Sequence, residues 1–368
     1  MNRLTGHDAA LRPLAVALAC LAAASCEGGS SGAPPTPAPT AAPAPAPSPA
    51  PTPSATPVLT HANTRIGACV NMGNHLEAPT EGDWGRAIAP GDFAEIAAQG
   101  FATVRLPVRF SNHAGTAPPY AIDPAFMNRV EQVVDSARAA GLRVILDLHH
   151  YDDPQGSIFA DPAGQTARFA ALWRQIAERF RDKDGQVWFE LLNEPHDRLT
   201  HANLRAVLDP ALREVRATNP TRPVVIGGES WSGINSLAAL PLPDDPYLVA
   251  TFHYYDPFAF THQGAPWVTP VMPTGVPFPR GTDAADLAAN VLKAEAFIAR
   301  TGRPLFLGEY GAYEGIPLAQ RVTYYGTVHD AFAAAGVDGC AWAYTNTMPL
   351  RDPATDAWIA PLLDAIGL

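Results

Sequence analysis

Nowhere in the 368 residues does an uninterrupted apolar run reach the ~18 that a membrane-spanning helix needs. Basic residues are scarce as well: 25 Lys+Arg stand against 36 Asp+Glu, for a formal net charge of -11. Binding a phosphate backbone requires a basic face, so no nucleic-acid partner is expected. Cysteine is rare, with four in the whole chain, at positions 20, 26, 69 and 340. Charged residues make up only 17% and hydrophobic ones 47%, which is too apolar for a wholly disordered protein and enough for one large core or two small ones. Proline alone is in excess: 38 residues, about twice the usual share.

The excess proline marks the chain's organisation. Residues 1–25 read as a signal peptide, with Arg3 and Arg12 before an apolar stretch from Leu14 to Ala24 that is too short to span a bilayer. Ala23, Ala24 and Ser25 lead into Cys26 and a Gly/Ser run, which resembles a bacterial lipoprotein processing site. Lipid attachment at Cys26 and ordinary cleavage are both open readings, and either implies an exported protein, extracellular or periplasmic. Residues 26–57 form a linker whose Pro, Ala, Thr and Ser cannot bury a core. Its extended conformations, at roughly 3.1 Å per residue, suit a spacer that stands a domain off a surface.

From residue 58 to 368 short apolar runs alternate with helical patterns. The strand expectations are Arg65–Asn71, Ala102–Leu106, Arg143–Leu148, Val187–Leu192, Pro223–Ile226, Leu248–Phe252, Leu305–Leu307 and Gly339–Tyr344. Helices are expected at Pro124–Ala140, Thr166–Arg181, Leu204–Ala217, Asp283–Arg300 and Leu318–Ala335, where apolar residues recur at three-to-four spacing. Alternation on this scale predicts a single α/β domain, a (β/α)8 TIM barrel. The competing doubly wound sheet would want a Gly-rich phosphate turn after its first strand, which Gly67 and Gly73 do not make.

A barrel of this kind keeps its chemistry at the carboxyl ends of its strands. Two glutamates stand there. Val187-Trp188-Phe189 leads to Glu194, and Leu305-Phe306-Leu307 leads to Glu309. A carboxylate at a buried strand end is costly unless it is paired or functional. Two of them across a cleft are what glycoside hydrolysis requires: one protonated to donate to the leaving oxygen, one ionised to attack or stabilise the anomeric carbon. Two unrelated salt-bridged glutamates are the plainer alternative.

Several motifs then stand in one order. Val187 to His196 (Val-Trp-Phe-Glu-Leu-Leu-Asn-Glu-Pro-His) resembles the acid/base motif of glycoside hydrolase family five, the cellulase family, and Phe306 to Tyr313 resembles its nucleophile strand. Asn71 to Asn74, Leu76 to Pro79, Val104 to Arg109, Leu148 to Tyr151 and Phe252 to Tyr255 match in the family's order. The stretch from Asp256 to Trp267 looks like a bacterial branch of endoglucanases acting on β-glucan and mannan.

The resemblance implies a retaining, endo-acting β-glycosidase on β-1,4-linked polysaccharide, with no cofactor, no metal and a monomeric state. By resemblance Glu194 is the acid/base and Glu309 the nucleophile, with Arg105 and Tyr255 holding Glu309 and Asn193 on the sugar's 2-hydroxyl. The resemblance also implies that His149, His150 and His253 line the subsite beside the scissile bond, with hydrogen-bonded structure the plainer alternative, and that Asn74 and Glu77 hold a sugar hydroxyl or brace their loop. A raised pKa is expected for Glu194 from the neighbouring charge of Glu309. The long loop from Asp256 to about Gly281 reads as structureless, with Trp267 as a sugar platform or as a plug for the barrel mouth. The branch ends its eighth strand Trp-Ala-Tyr-Trp, whereas this chain has Trp342-Ala343-Tyr344-Thr345, so either Trp342 or another aromatic replaces the last Trp beneath the sugar, or that sugar is bound less tightly.

Cys69 and Cys340 fall in the first and eighth strands, neighbours in a closed barrel. Two buried thiols are the default expectation and a bridge the alternative. Two rival functions complete the reading. Asp147, His149, His150, Asp152 and Asp153 prompt a metal-dependent barrel hydrolase, and Thr345 hints at a non-catalytic surface glycan-binding barrel.

Overall fold

The computed structural model describes residues 58–154 and 156–368, so the signal, Cys26 and linker expectations lie outside the described residues. Eight parallel strands close in sequence order: β1 Cys69–Asn71, β2 Thr103–Val108, β3 Arg143–Leu148, β4 Val187–Glu190, β5 Val224–Ile226, β6 Leu248–His253, β7 Leu305–Tyr310 and β8 Gly339–Ala341. The (β/α)8 barrel is therefore the observed architecture. Helices Asp92–Ala98, Pro124–Ala139, Pro162–Arg179, His201–Thr218, Asp283–Thr301 and Leu318–Ala334 separate the strands, and a 3-10 helix, Ile234–Ala239, lies between β5 and β6. Among the described residues no helix is long and apolar enough to cross a membrane.

The element limits have local causes. β1 begins later than its pattern because the Ile66 and Gly67 amides are taken by the Asp338 carboxylate, not by a neighbouring strand. The third of these helices starts four residues earlier than its periodicity, since the Asp161 side chain caps Gly164 and Pro162 needs no N–H in the first turn. β7 runs on past Leu307 through a register shift: Phe252 pairs with Leu307, but His253 pairs with Glu309. Gly308 is the extra residue, and a Cβ there would collide with Thr251 and the His253 imidazole. That irregularity brings Glu309 abreast of His253.

Two cores hold the barrel. Between strands and helices lies an apolar shell in which Val130, Val133, Val134 and Ala137 of one helix and Leu172, Trp173 and Ile176 of the next are buried. Trp173 also donates its indole N–H to the Leu191 carbonyl (2.9 Å), so the helix fixes the chain two residues before Asn193. Inside the barrel base, Ile66, Cys69, Ile145, Trp188, Val225, Val249, Phe306 and Cys340 form a second cluster, with Leu59 packed against it. Cys69 and Cys340 lie opposite each other in the β1–β8 register and are joined by a disulfide. The expected pair of free thiols is thus corrected: closure of the barrel puts the two Cα atoms 4.2 Å apart.

Candidate active site

Glu194 and Glu309 meet across the carboxyl end of the barrel. Each offers a carboxylate oxygen, and with the His253 imidazole these atoms all lie within 4.8 Å of one another. Retaining glycosidases hold their carboxyl groups about 5–5.5 Å apart and inverting ones about 6.5–9.5 Å, and so close an approach of two oxygens is nearer to the first class. Glu194 adopts a left-handed backbone (φ 46°), a conformation costing about 1–2 kcal/mol for such a residue. The His196 imidazole contacts its carbonyl at 2.6 Å.

Glu309 is held for ionisation. Arg105 donates from Nη1 to its Oε1 (2.7 Å), and the Tyr255 hydroxyl donates to Oε2 (2.9 Å). The Tyr255 phenol stays protonated because burial and two nearby carboxylates raise its pKa well above the ordinary value. Glu194 instead faces His253, whose Nδ1 lies 2.7 Å from Oε1. Burial lowers the His253 pKa to about 4, which makes it a neutral donor at pH 7.

Both carboxyl groups are pushed up to about 7, and in each the first cause is burial. The expectation that Glu309 would be the main cause of the Glu194 shift is therefore corrected, because loss of water outweighs the charge next door. The guanidinium and phenol that bond Glu309 directly favour its anion, which leaves Glu194 the better placed of the two to carry a proton.

Arg105 is a hub, fully buried, bonding Asn71, Glu190, Asn193 and Glu309 with Asp147 3.0 Å away. Asp147 takes the proton-bearing Nδ1 of His149 (2.6 Å), leaving Nε2 as an acceptor facing the Asn193 amide nitrogen (3.4 Å). Asn193 Oδ1 accepts from Arg105 (2.8 Å), so the amide's orientation is set from both sides.

The other expected residues divide. His149 is buried with its ring parallel to Trp342 (5.6 Å between centroids), and the half-buried His150 lies edge-on to it. Glu77 is buried and spends both oxygens on the backbone amides of Asn74 and His75, the loop-bracing arrangement, while Asn74 is half-buried in a left-handed turn. Trp267 keeps 47% of its surface exposed and stands edge-on to Tyr313, so it does not plug the mouth. Its loop is not structureless: a short helix, Phe258–Thr261, forms there, and Phe260 and Phe278 pack on Tyr324 in the core.

Position 345 turns out not to face the cleft. Thr345 is fully buried, with its hydroxyl 3.3 Å from His75 Nε2, whereas the half-exposed Trp342 indole lies over Gly73 and beside His149. The aromatic at the site is therefore Trp342 itself. Of the metal-type cluster, Asp147 is spent on Arg105 and His149, and Asp152 and Asp153 on Arg109. Two exposed aromatics went unremarked in the sequence: Trp84, edge-on to His150, and Trp231, parallel to His196 at 5.0 Å. Neither Trp belongs to a periodic pattern, and only their proximity to motif residues could have singled them out.

Comparisons with known proteins agree with this geometry. The family model described as cellulase (glycosyl hydrolase family 5) matches residues 67–348. Endoglucanase H of Acetivibrio thermocellus is 35% identical over 313 residues, covering 82% of this chain and 33% of that protein. Cellodextrinase A of Ruminococcus flavefaciens is 26% identical over 273 residues, covering 70% of this chain and 80% of the relative. A solved structure of Thermotoga maritima Cel5A with cellobiose has a TM-score of 0.79 at 35% identity, covering 82% of this chain and 97% of that one. Against the first two curated relatives the chain spans about a third of their length. A match running from the start of β1 to beyond β8, on a barrel with its two glutamates opposed, makes this chain a member of glycosyl hydrolase family 5, the cellulase family.

Proposed function

We propose that the domain is a retaining, endo-acting β-glycosidase that hydrolyses β-1,4-linked glucan or glucomannan by double displacement. Glu309 attacks the anomeric carbon while Glu194 protonates the departing oxygen, and a covalent glycosyl-enzyme forms. Glu194, now ionised, takes a proton from water, which releases the sugar with its configuration retained. The observation that carries this reading is the opposed pair, one carboxylate clasped by Arg105 and Tyr255 and the other facing a neutral imidazole.

Substrate contacts follow from the site. The Asn193 amide nitrogen is suited to a 2-hydroxyl, and the faces of Trp342, Trp267, Trp84 and Trp231 to pyranose rings. Relatives solved with cellobiose and with mannotriose support a glucan or mannan backbone. The leader supports export, Cys26 supports a lipid anchor to the cell envelope, and the domain is proposed to work as a monomer.

The test is a panel of carboxymethylcellulose, barley β-glucan, glucomannan and xyloglucan, each with wild type and Glu309→Ala. Viscosity falling faster than reducing ends appear, with the first product released as the β-anomer, is the expected result. Absence of product on every polymer, with binding retained, would replace this reading with a glycan-binding barrel.

A further inference from the structure

Two buried carboxylates have no part in the reaction just described. Glu190 ends β4 and Asp147 lies near the end of β3, paired with it in the strand register. Both are closed to solvent, at 1% and 0% exposure, and neither reaches the cleft. Both grip Arg105. Glu190 takes Nε at 2.8 Å and Nη2 at 2.9 Å in a two-pronged pairing, and Asp147 Oδ2 lies 3.0 Å from Nη2. The remaining donors of the guanidinium go to Asn71 (3.0 Å), Asn193 (2.8 Å) and Glu309 (2.7 Å). With all five N–H groups directed, the plane of Arg105 is set by the fork on its far side.

We propose that Glu190 is a positioning residue for hydrolysis: by clamping Arg105 from the side away from the cleft, it aims Nη1 at Glu309 and divides the guanidinium's charge between strands. The proposal rests on the reading of Glu309 as nucleophile. A carboxylate alone with an arginine at this distance becomes a weak base, its pKa falling by about 1–3 units. Burial is the first cause that keeps Glu309 basic, and the carboxylates that share the guanidinium on its far side leave less of the Arg105 charge to draw that pKa down.

The surroundings leave few other sources of charge. Asp147 and His149 face the cluster from β3, Glu194 from the loop after β4, His253 and Tyr255 from β6 and its loop, and Glu309 from β7. Burial keeps His149 and His253 neutral at pH 7. Among the described residues of this cluster Arg105 is the lasting cation, set against four carboxyl groups. Removing the charge of Glu190 returns the guanidinium to Glu309 and also relieves Glu194, whose proton Glu190 helps to hold.

Glu190→Gln keeps the shape and one acceptor but loses the charge. Both limbs of the kcat/KM profile are expected to move toward acid by about half a unit to one unit, with kcat at pH 7 falling about tenfold and KM changing less than about twofold. Glu190→Asp keeps the charge but withdraws the fork, so the limbs stay in place while kcat falls. A residue that merely holds the fold would lower Tm and leave the limbs where they are, and that result overturns the proposal. Titration of carboxyl-13C-labelled glutamate by NMR reads the same effect without turnover: a Glu309 pKa lower by about half a unit or more in Glu190→Gln supports it, and an unmoved one overturns it. That readout separates this proposal from the activity itself, which fails separately if wild type cleaves nothing. Should Glu190→Gln not fold, Glu190→Asp decides, because an unchanged kcat there removes the positioning role.

Discussion

The His253 imidazole sits between the two glutamates, with Nδ1 2.7 Å from Glu194 Oε1 and 3.6 Å from Glu309 Oε2. The imidazole thus hydrogen-bonds Glu194 and only lies beside Glu309, and the roles proposed for the two carboxyls can be separated chemically. Glu309→Ala is expected to lose about 10³-fold or more in kcat and to regain turnover with azide as an inverted glycosyl azide. Glu194→Ala should retain its first step on an aryl glycoside with a good leaving group and stall at the covalent intermediate, with azide giving a product of retained configuration. Products of the opposite configurations would exchange the two assignments.

The pH dependence of activity follows from the proton on Glu194. Its pKa is pushed up to about 7, so the acid form is lost as pH rises through that value. Glu309 must be ionised, which activity gains as pH rises through the lower step of the coupled pair. A bell with its alkaline limb near 7 and a mildly acidic optimum is expected from kcat/KM between pH 4 and 9. A flat profile across neutrality would contradict the assignment.

Stability should fall in the same region. Glu77 is raised by burial to about 8, and Asp147, Glu194 and Glu309 to about 7. Groups with raised native pKa values bind protons more tightly folded than unfolded, so their contribution is lost as pH rises through those values. The depressed histidines act oppositely, and their effect, governed by the unfolded value of 6.5, is complete only by about pH 7.5. Between about pH 7.5 and 9 the loss remains, and urea midpoints should register about 1 kcal/mol.

The Cys69–Cys340 bridge closes a sequence separation of 271 residues. Cys69→Ser with Cys340→Ser is expected to lower unfolding free energy by about 2–5 kcal/mol, with kcat at 25 °C unchanged because both residues lie in the base layer. Denaturant titration with and without reductant checks this, and equal midpoints would show that the bridge does not form.

Trp342 and Thr345 give opposite outcomes. Trp342→Ala should cost about 10-fold or more in kcat/KM on oligosaccharides, through loss of a ring face worth about 1 kcal/mol or more. Thr345→Trp should lower Tm without improving KM, since the added ring enters a closed space against His75.

What the chain disclosed in advance was its backbone order. Each strand ended within a few residues of expectation, and Arg105, Glu194, Tyr255 and Glu309 met as their motifs implied, because position along a barrel strand largely dictates height in the barrel. Side-chain direction beyond a strand end was less legible. β8 leaves the ladder after Ala341, so position 345, where the family branch carries an aromatic, turns into the interior, and Trp342, one of the replacements the sequence left open, stands beside His149. The cause of the Glu194 shift was misread for a related reason: charge can be counted in a sequence, but exclusion of water depends on everything packed around it. Glu190, four residues before the acid in the same motif, was passed over because its partner lies on another strand 85 residues away.

Leu59 has a directional consequence. It meets the base layer where the strands begin, and its amide bonds Pro246 just ahead of β6. Anything that grips the chain upstream must therefore pull on the rear of the barrel. The candidate catalytic mouth lies at the opposite end, at the carboxyl ends of the strands, so such a pull acts on the barrel at a distance from Glu194 and Glu309.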